Sequence, residues 1–416
     1  MANDKTMKSK IISDIKAKSK IDKDLNRKLK SSLRASSNAL EANENPTVEW
    51  ARAIGTKGSE EAVWFEKTTD GGYIIVGENS EGSVLVKLDS SCNVEWSREY
   101  NVLNSSIIKA TTSYVQPTQD GGYILTGTVT DKDYDRGPFV IKIDANGNYE
   151  WIRHFITEEA GDMERGISCI QTKDGGYMIL GAGDTKEIVD NEYTHWATSF
   201  HLLKLDASGN KIWEKNTYKQ LENDIYAVSN IIQNNDGDYV FTGLDKGEEV
   251  SKVPLVTANK YGNVLSYDTY SSTDHDNYPS NIYQTSDGGY VMSGFSVYSS
   301  GNDPWVAKID NHGKVDWQQI FPVPNTIDSL NCVKETSDGG YITTGSIGPD
   351  NKSSSYDICT IKLNYAGQIE WAEYYGGTAR DLGECVIETP DHGYLFLTTT
   401  DSYGHGGSDI FLIKLK

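Results

Sequence analysis

The chain lacks the short signatures by which most enzymes announce themselves. It has no G-x-S-x-G elbow, no phosphate-binding P-loop, no H-E-x-x-H and no dinucleotide fingerprint between a strand and a helix. The five cysteines, at 92, 169, 332, 359 and 385, are odd in number and form no C-x-x-C, which argues against a disulfide framework or a thiolate zinc site. The seven histidines, at 154, 195, 201, 275, 312, 392 and 405, show no metal-ligand spacing. No run of 18 apolar residues is present, so no helical membrane span is expected. Cations are scarce, with 39 Lys+Arg against 60 Asp+Glu and a formal charge of −21, which disfavours binding of a phosphate backbone by the main body.

What the chain does contain is aromatic and glycine-rich. Twenty-five Tyr, nine Trp and 39 Gly among 416 residues supply core area and tight turns, and exclude wholesale disorder. The charge is divided. Residues 1–46 carry 11 basic and 6 acidic side chains, a net of +5, so the remainder carries 28 and 54, a net of −26. In the basic segment Ile11, Ile15, Leu25, Leu29 and Leu33 recur at roughly helical spacing among lysines, which predicts a partly helical or disordered arm over 1–46. The arm lacks the apolar core of a secretory signal, so a cytoplasmic or non-classically exported protein is expected. A tether, leader or docking role suits the arm.

Self-similarity dominates the rest. Asp-Gly-Gly-Tyr starts at Asp70, Asp120, Asp174, Asp287 and Asp338, with degenerate copies at Asp236 and Asp391, at intervals of 50 to 62 residues. Seven residues after the Asp comes Gly77, Gly127, Gly181, Gly243, Gly294 or Gly345, replaced in the seventh copy by Thr398. Each unit then runs through a Lys-(Leu/Ile)-Asp stretch and a glycine turn to a Trp. Asp-Gly between β-rich runs favours hairpins, because Gly adopts positive φ freely. Four short strands per unit, repeated radially seven times, predict an all-β, seven-bladed β-propeller over 47–416. The last unit stops after its third strand at Leu415, while Val48-Glu49-Trp50 is a fourth strand without a predecessor. An N-terminal strand therefore completes the last blade, and removing residues 1–55 is expected to destabilise the whole domain.

The charges offer an internal check. Lys87, Lys142, Lys204, Lys308, Lys362 and Lys414 occupy one third-strand position and should face Glu95, Glu150, Ile212, Asp316, Glu370 and Glu49. Blade 4 breaks the pattern with Thr257 opposite Leu265. The once-per-unit tryptophans 50, 96, 151, 213, 317 and 371 read as packing between blades, and the cysteines as small buried hydrophobes.

The Thr-x-Asp-Gly-Gly-Tyr-Ile-x-x-Gly unit, followed by Lys-(Leu/Ile)-Asp-x-x-Gly-Asn-x-x-Trp, resembles tandem-repeat propellers of bacterial and archaeal, often surface-associated, proteins. The resemblance implies adhesion or scaffolding more often than catalysis.

Function in such a ring belongs to its variable loops. The loops between second and third strands share a face with those that join blades. They offer Tyr134 and Arg136 in blade 2, Tyr193, His195 and Trp196 in blade 3, Trp305 in blade 5, and Tyr403 and His405 in blade 7. Aromatic faces beside acids and amides suit a protein segment or a glycan. Acids recur before the first strand (Glu60, Glu164, Asp224, Asp276, Asp328, Asp381) and before the third (Asp135, Asp303, Asp357, Asp409), either as loop braces or as an acidic funnel. Asp131, Asp133 and Asp135 alternate as in a calcium loop, but Gly137 is one place late and Lys142 stands where the bidentate Glu belongs. The expectation is a non-enzymatic binding or scaffold propeller. The alternative is a propeller hydrolase or lyase using carboxylates near the channel mouth.

Overall fold

In the computed structural model the described residues are 13–16, 46–80, 82–156, 163–190, 193–217, 225–245, 251–270, 275–298, 301–322, 326–349 and 355–416. They form a seven-bladed β-propeller of four-stranded antiparallel blades, with no helix among them. The first strands of successive blades, Glu61–Lys67, Ile107–Pro117, Arg165–Gln171, Ile225–Gln233, Asp276–Gln284, Thr326–Glu335 and Asp381–Glu388, contact one another in a closed circle around the central channel. Blade 7 is built from both ends of the ring: Val48–Gly55 pairs antiparallel with Asp409–Leu415 as its fourth strand. That closure leaves no inter-blade gap to expose unpaired edges. Ser13–Lys16 is a strand alongside Val48–Gly55, not a helix, and the rest of the arm lies outside the described residues.

The repeat motif explains itself in three dimensions. In blade 2, Asp120 Oδ1 accepts the Thr118 hydroxyl at 2.5 Å and the Gly122 amide at 3.0 Å. Its Oδ2 pairs with Lys142 Nζ at 2.8 Å. Lys142 is buried and also reaches Glu150 at 3.4 Å. The same clamp recurs as Asp70–Lys87, Asp174–Lys204, Asp287–Lys308, Asp338–Lys362 and Asp391–Lys414. All five predicted Lys–acid pairs across the hairpin form, at 3.0 to 3.8 Å. The motif aspartate, however, is the shorter partner and ties the first hairpin of these six blades to the second.

The two glycines do different jobs. Gly121 adopts φ +81°, the left-handed turn conformation. Gly122 must stay bare because a Cβ there would lie 2.3 Å from Ile143 O and 2.6 Å from Lys142 Nζ. The glycine seven residues after the Asp faces a β-bulge in the first strand: a Cβ on Gly127 would meet Thr111 O at 2.0 Å. Between blades, Trp96, Trp151 and Trp317 rest edge-on against the next blade's motif tyrosine, as Trp96 on Tyr123 at 6.0 Å and Trp151 on Tyr177 at 5.6 Å. All five cysteines are buried.

Candidate functional site

The first strand of every blade runs toward the Thr-x-Asp-Gly-Gly turns, so its last residues line the channel on the constant-turn side, opposite the variable loops. There the first strands of blades 1 to 6 enclose a cavity of about 440 Å³. Its wall carries one ion pair, Lys334 Nζ to Glu66 Oε1 at 3.4 Å, spanning from blade 6 to blade 1. Lys334 also lies over the Trp64 ring at 5.5 Å and the Tyr283 ring at 5.0 Å. Glu66 Oε1 accepts the Trp64 indole N–H at 3.0 Å and the Tyr114 hydroxyl at 3.4 Å, and Trp64 stacks on Tyr114 at 5.0 Å. Burial opposes the charge on Lys334, but Glu66, with Cys385, Cys332 and Tyr283 adding to it, holds the ammonium above its ordinary range. Burial, followed by Glu66, pushes the Tyr114 phenol up.

The remaining wall is amide-rich, with Gln116, Gln171, Asn230, Gln233 and Gln284. Several of these amides also knit the ring. Gln171 Oε1 accepts the Gln119 amide of the preceding blade at 2.7 Å, and Asn230 bonds both N–H and C=O of Ile282 in the next blade, at 2.9 and 3.0 Å.

The loop-side mouth is acidic. The β-bulge of blade 7 turns Glu384 into the channel, near Glu61 and Arg380. Arg380 pairs with Glu61 at 2.5 Å and Asp401 at 3.2 Å. Burial, with Glu61 adding to it, pushes both Glu384 and Glu78 up to about 7.

The loop residues singled out from sequence fare unequally. Tyr134 stands free at 78% exposure with φ +71°, beside exposed Arg136. Tyr403 stacks on Phe411 at 5.6 Å and donates its hydroxyl to Gly376 O at 2.8 Å. His405 is mostly buried beside Asp409. Trp305 lies in the core at 1% exposure, on the strand Gly301–Ile309. The blade 3 loop proves to be a long hairpin, in which Tyr193, His195 and Trp196 pair with Asp190, Ile188 and Glu187; their side chains lie outside the described residues. Asp131 Oδ1 accepts the amides of Asp133 and Asp135, at 2.9 and 3.0 Å, and so braces its own turn. Sequence reading missed Glu66, Lys334, Tyr283 and Glu384, because each occupies a position that differs from blade to blade.

No family model matches the chain, and no curated protein matches it in sequence. Solved structures with similar architecture include a protein of unknown function from Dyadobacter fermentans, 12% identical, covering 75% of this chain and 96% of that one at a TM-score of 0.46. Another, of unknown function from Bacteroides caccae, is 10% identical and covers 76% and 94% at 0.42. Drosophila Plexin A in complex with Semaphorin 1b is 8% identical and covers 89% and 87% at 0.46.

Proposed function

We propose that this is a non-enzymatic binding propeller that takes a neutral, hydroxyl-rich ligand, a glycan segment, in the cavity on the constant-turn side of the channel. The observation that carries the reading is the chemistry of that wall. Tyr114 and Tyr283 offer flat apolar faces, Gln116, Gln171 and Gln284 offer amide groups, and the Glu66–Lys334 pair leaves no net charge to attract or repel an ion. Cavities of 300 to 1,000 Å³ with a few convergent polar groups are the usual dimension of small-ligand sites, and about 440 Å³ falls in that range. This places the ligand on the face opposite the loops that sequence variability favours. Glycan-array screening followed by calorimetry tests it. Tyr283→Ala and Gln284→Ala should each weaken the best hit at least about tenfold, the equivalent of ~1.4 kcal/mol. An array with no hit above background, or hits unaffected by both changes, overturns the reading.

A second reading is favoured by one observation. Glu384 and Glu78, both raised to about 7, flank Glu61 at the loop-side mouth, so two carboxyl groups able to hold a proton near neutral pH stand beside a third carboxyl group. That is the requirement for hydrolysis of a glycosidic bond. Turnover of chromogenic glycosides that disappears in Glu384→Gln would promote it over binding.

A further inference from the structure

One layer of inner-strand side chains, four residues before the motif threonine or its Asn234 counterpart, stitches blade 3 through to blade 7. At each seam the side chain of one blade accepts an amide of the next blade's inner strand. Ser168 Oγ accepts the Ile231 amide at 3.3 Å, Asn230 Oδ1 the Ile282 amide at 2.9 Å, and Asn281 Oδ1 the Val333 amide at 3.2 Å. Asn230 Oδ1 also accepts the Asn281 side-chain amide at 3.0 Å, so neighbouring members of the layer touch. Blades 6 and 7 carry the same arrangement in sulfur. Cys332 Sγ accepts the Val386 amide and the Cys385 thiol. Both cysteines are buried, on adjoining inner strands and in matching register, opposite Thr344 and Leu397.

A thiol is a weak donor and a weak acceptor, so two of them make a poorer stitch than two carboxamides. What the pair adds is chemistry. Lys334 follows Cys332 by two residues and so projects on the same side of the strand, into the cavity wall. Burial opposes ionisation of Cys332. The Cys385 hydrogen bond, then Lys334 and the Val386 amide, outweigh it and hold the thiol below its ordinary range, while Glu66 from blade 1 works against them. Cys385 moves the other way, through burial and through the proton it shares with Cys332. The pair therefore gives up one proton readily and keeps the second. In the other three cysteines burial prevails. It pushes Cys92 up to about 11 and drives Cys169 and Cys359 far above the ordinary thiol range. One activated sulfur beside a protonated thiol is the division of labour between an attacking and a resolving cysteine.

We propose that Cys332 and Cys385 are a redox-active pair that hydrogen peroxide converts to a disulfide, latching blade 6 to blade 7 beside the channel. The Cys332 thiolate attacks one peroxide oxygen. The O–O bond breaks, and the second oxygen leaves as hydroxide and takes up the proton that Cys332 had released. The Cys385 sulfur then attacks the Cys332 sulfenic acid. The S–S bond forms, the S–O bond breaks, and the Cys385 proton leaves with that oxygen as water. The two thiols lose two electrons together, and the peroxide is reduced to two waters. The sulfurs lie one step further along the channel than Lys334, so the site favours an oxidant near the size of water.

The test treats the reduced full chain with hydrogen peroxide and maps its peptides by mass spectrometry without reduction. A Cys332–Cys385 linked pair should appear, two of the five free thiols should be lost, and dithiothreitol should restore both. Cys92, Cys169 and Cys359 should stay free. Cys385→Ser should leave Cys332 as a sulfenic acid that dimedone captures. Cys332→Ser should give neither a linked pair nor a dimedone adduct at Cys385. Lys334→Met should slow linkage at pH 7 at least about tenfold, the thiolate lost per unit rise in pKa. Peroxide that leaves 332 and 385 unlinked in the folded chain overturns the proposal. So does an unchanged rate in a Lys334→Met chain that melts like the parent. The readout is covalent, so a glycan array without hits leaves this inference standing.

Discussion

Blade 4 differs from the other six blades by one missing lysine, and several other departures follow from it. Elsewhere a buried lysine reaches out to the exposed motif aspartate, and the second residue after that aspartate must be glycine to leave room for the ammonium. In blade 4 the lysine position is Thr257. Its motif aspartate, Asp236, is exposed like the clamped ones but has no lysine at that position to pair with. The second glycine of the turn is then no longer required, and Asp238 stands there. The threonine has become Asn234, whose side-chain oxygen accepts the Asp238 amide at 2.9 Å and holds the turn locally. The acid opposite the lysine has become Leu265, which is 58% exposed. The degenerate repeat is therefore a consistent alternative: without a cation to clamp, the turn is closed by an Asx-type bond instead.

Acid should separate the two kinds of blade most strongly. In the clamps, burial pushes the aspartates up, but hydrogen bonds from Thr and Lys outweigh it and hold Asp70, Asp120, Asp174 and Asp287 at about 2, against an ordinary 3.8. For Asp391 the Thr389 bond leads and the result is again about 2. A depressed folded pKa contributes stability above the unfolded value and loses it as pH falls through the folded one. Acid unfolding is thus expected between about pH 4 and pH 2. Amide exchange should open the six clamped turns across that window and leave the 234–238 turn unchanged. Uniform loss around the ring would refute the distinction.

Single substitutions come next. Asp120→Ala strips Thr118, Gly122 and Lys142 of a partner together and should cost about 2–4 kcal/mol in urea denaturation. Asp236→Ala should stay within about 0.5 kcal/mol. Gly122→Ala drives a methyl against Ile143 O and Lys142 Nζ, and should cost about 1–3 kcal/mol. The smallest effect tests repair. Thr257→Lys alone should be neutral or destabilising, because Asp238 fills the space a lysine needs. Thr257→Lys with Asp238→Gly should recover about 0.5–1.5 kcal/mol relative to the single change, as a double-mutant cycle would read. Additive effects would show that the lysine and the glycine are not linked.

The fold was legible because its determinants recur. Seven copies of a turn signal, and Val48-Glu49-Trp50 matching the strand missing after Leu415, leave little freedom in topology. The lysine series was legible in part. Its cross-hairpin acids followed from strand pairing, whereas the motif aspartate read only as a turn former, since one side chain rarely advertises two partners. The site was harder. Glu66, Gln116, Ile170, Ile232, Tyr283, Lys334 and Ile387 occupy the same inner-strand position. Viewed along the chain they look like noise, and only the ring makes them neighbours. Trp305 is buried for a local reason: third strands extend further toward the loop face than the alternation of polar residues suggests.

The pairing of Val48–Gly55 with Asp409–Leu415 also governs the order of events in folding. Six blades are assembled from contiguous hairpins and can form as local units. The seventh requires a contact spanning nearly the whole ring, so it comes at the end of the pathway and at the slow extreme of topology-limited rates. Until it forms, Asp409–Leu415 and Val48–Gly55 present open edges to other chains. Moving the chain ends to a seam between two contiguous blades would replace that late encounter with a short hairpin. Such a permuted chain is expected to refold faster than the native order at similar final stability, and stopped-flow refolding would measure the difference.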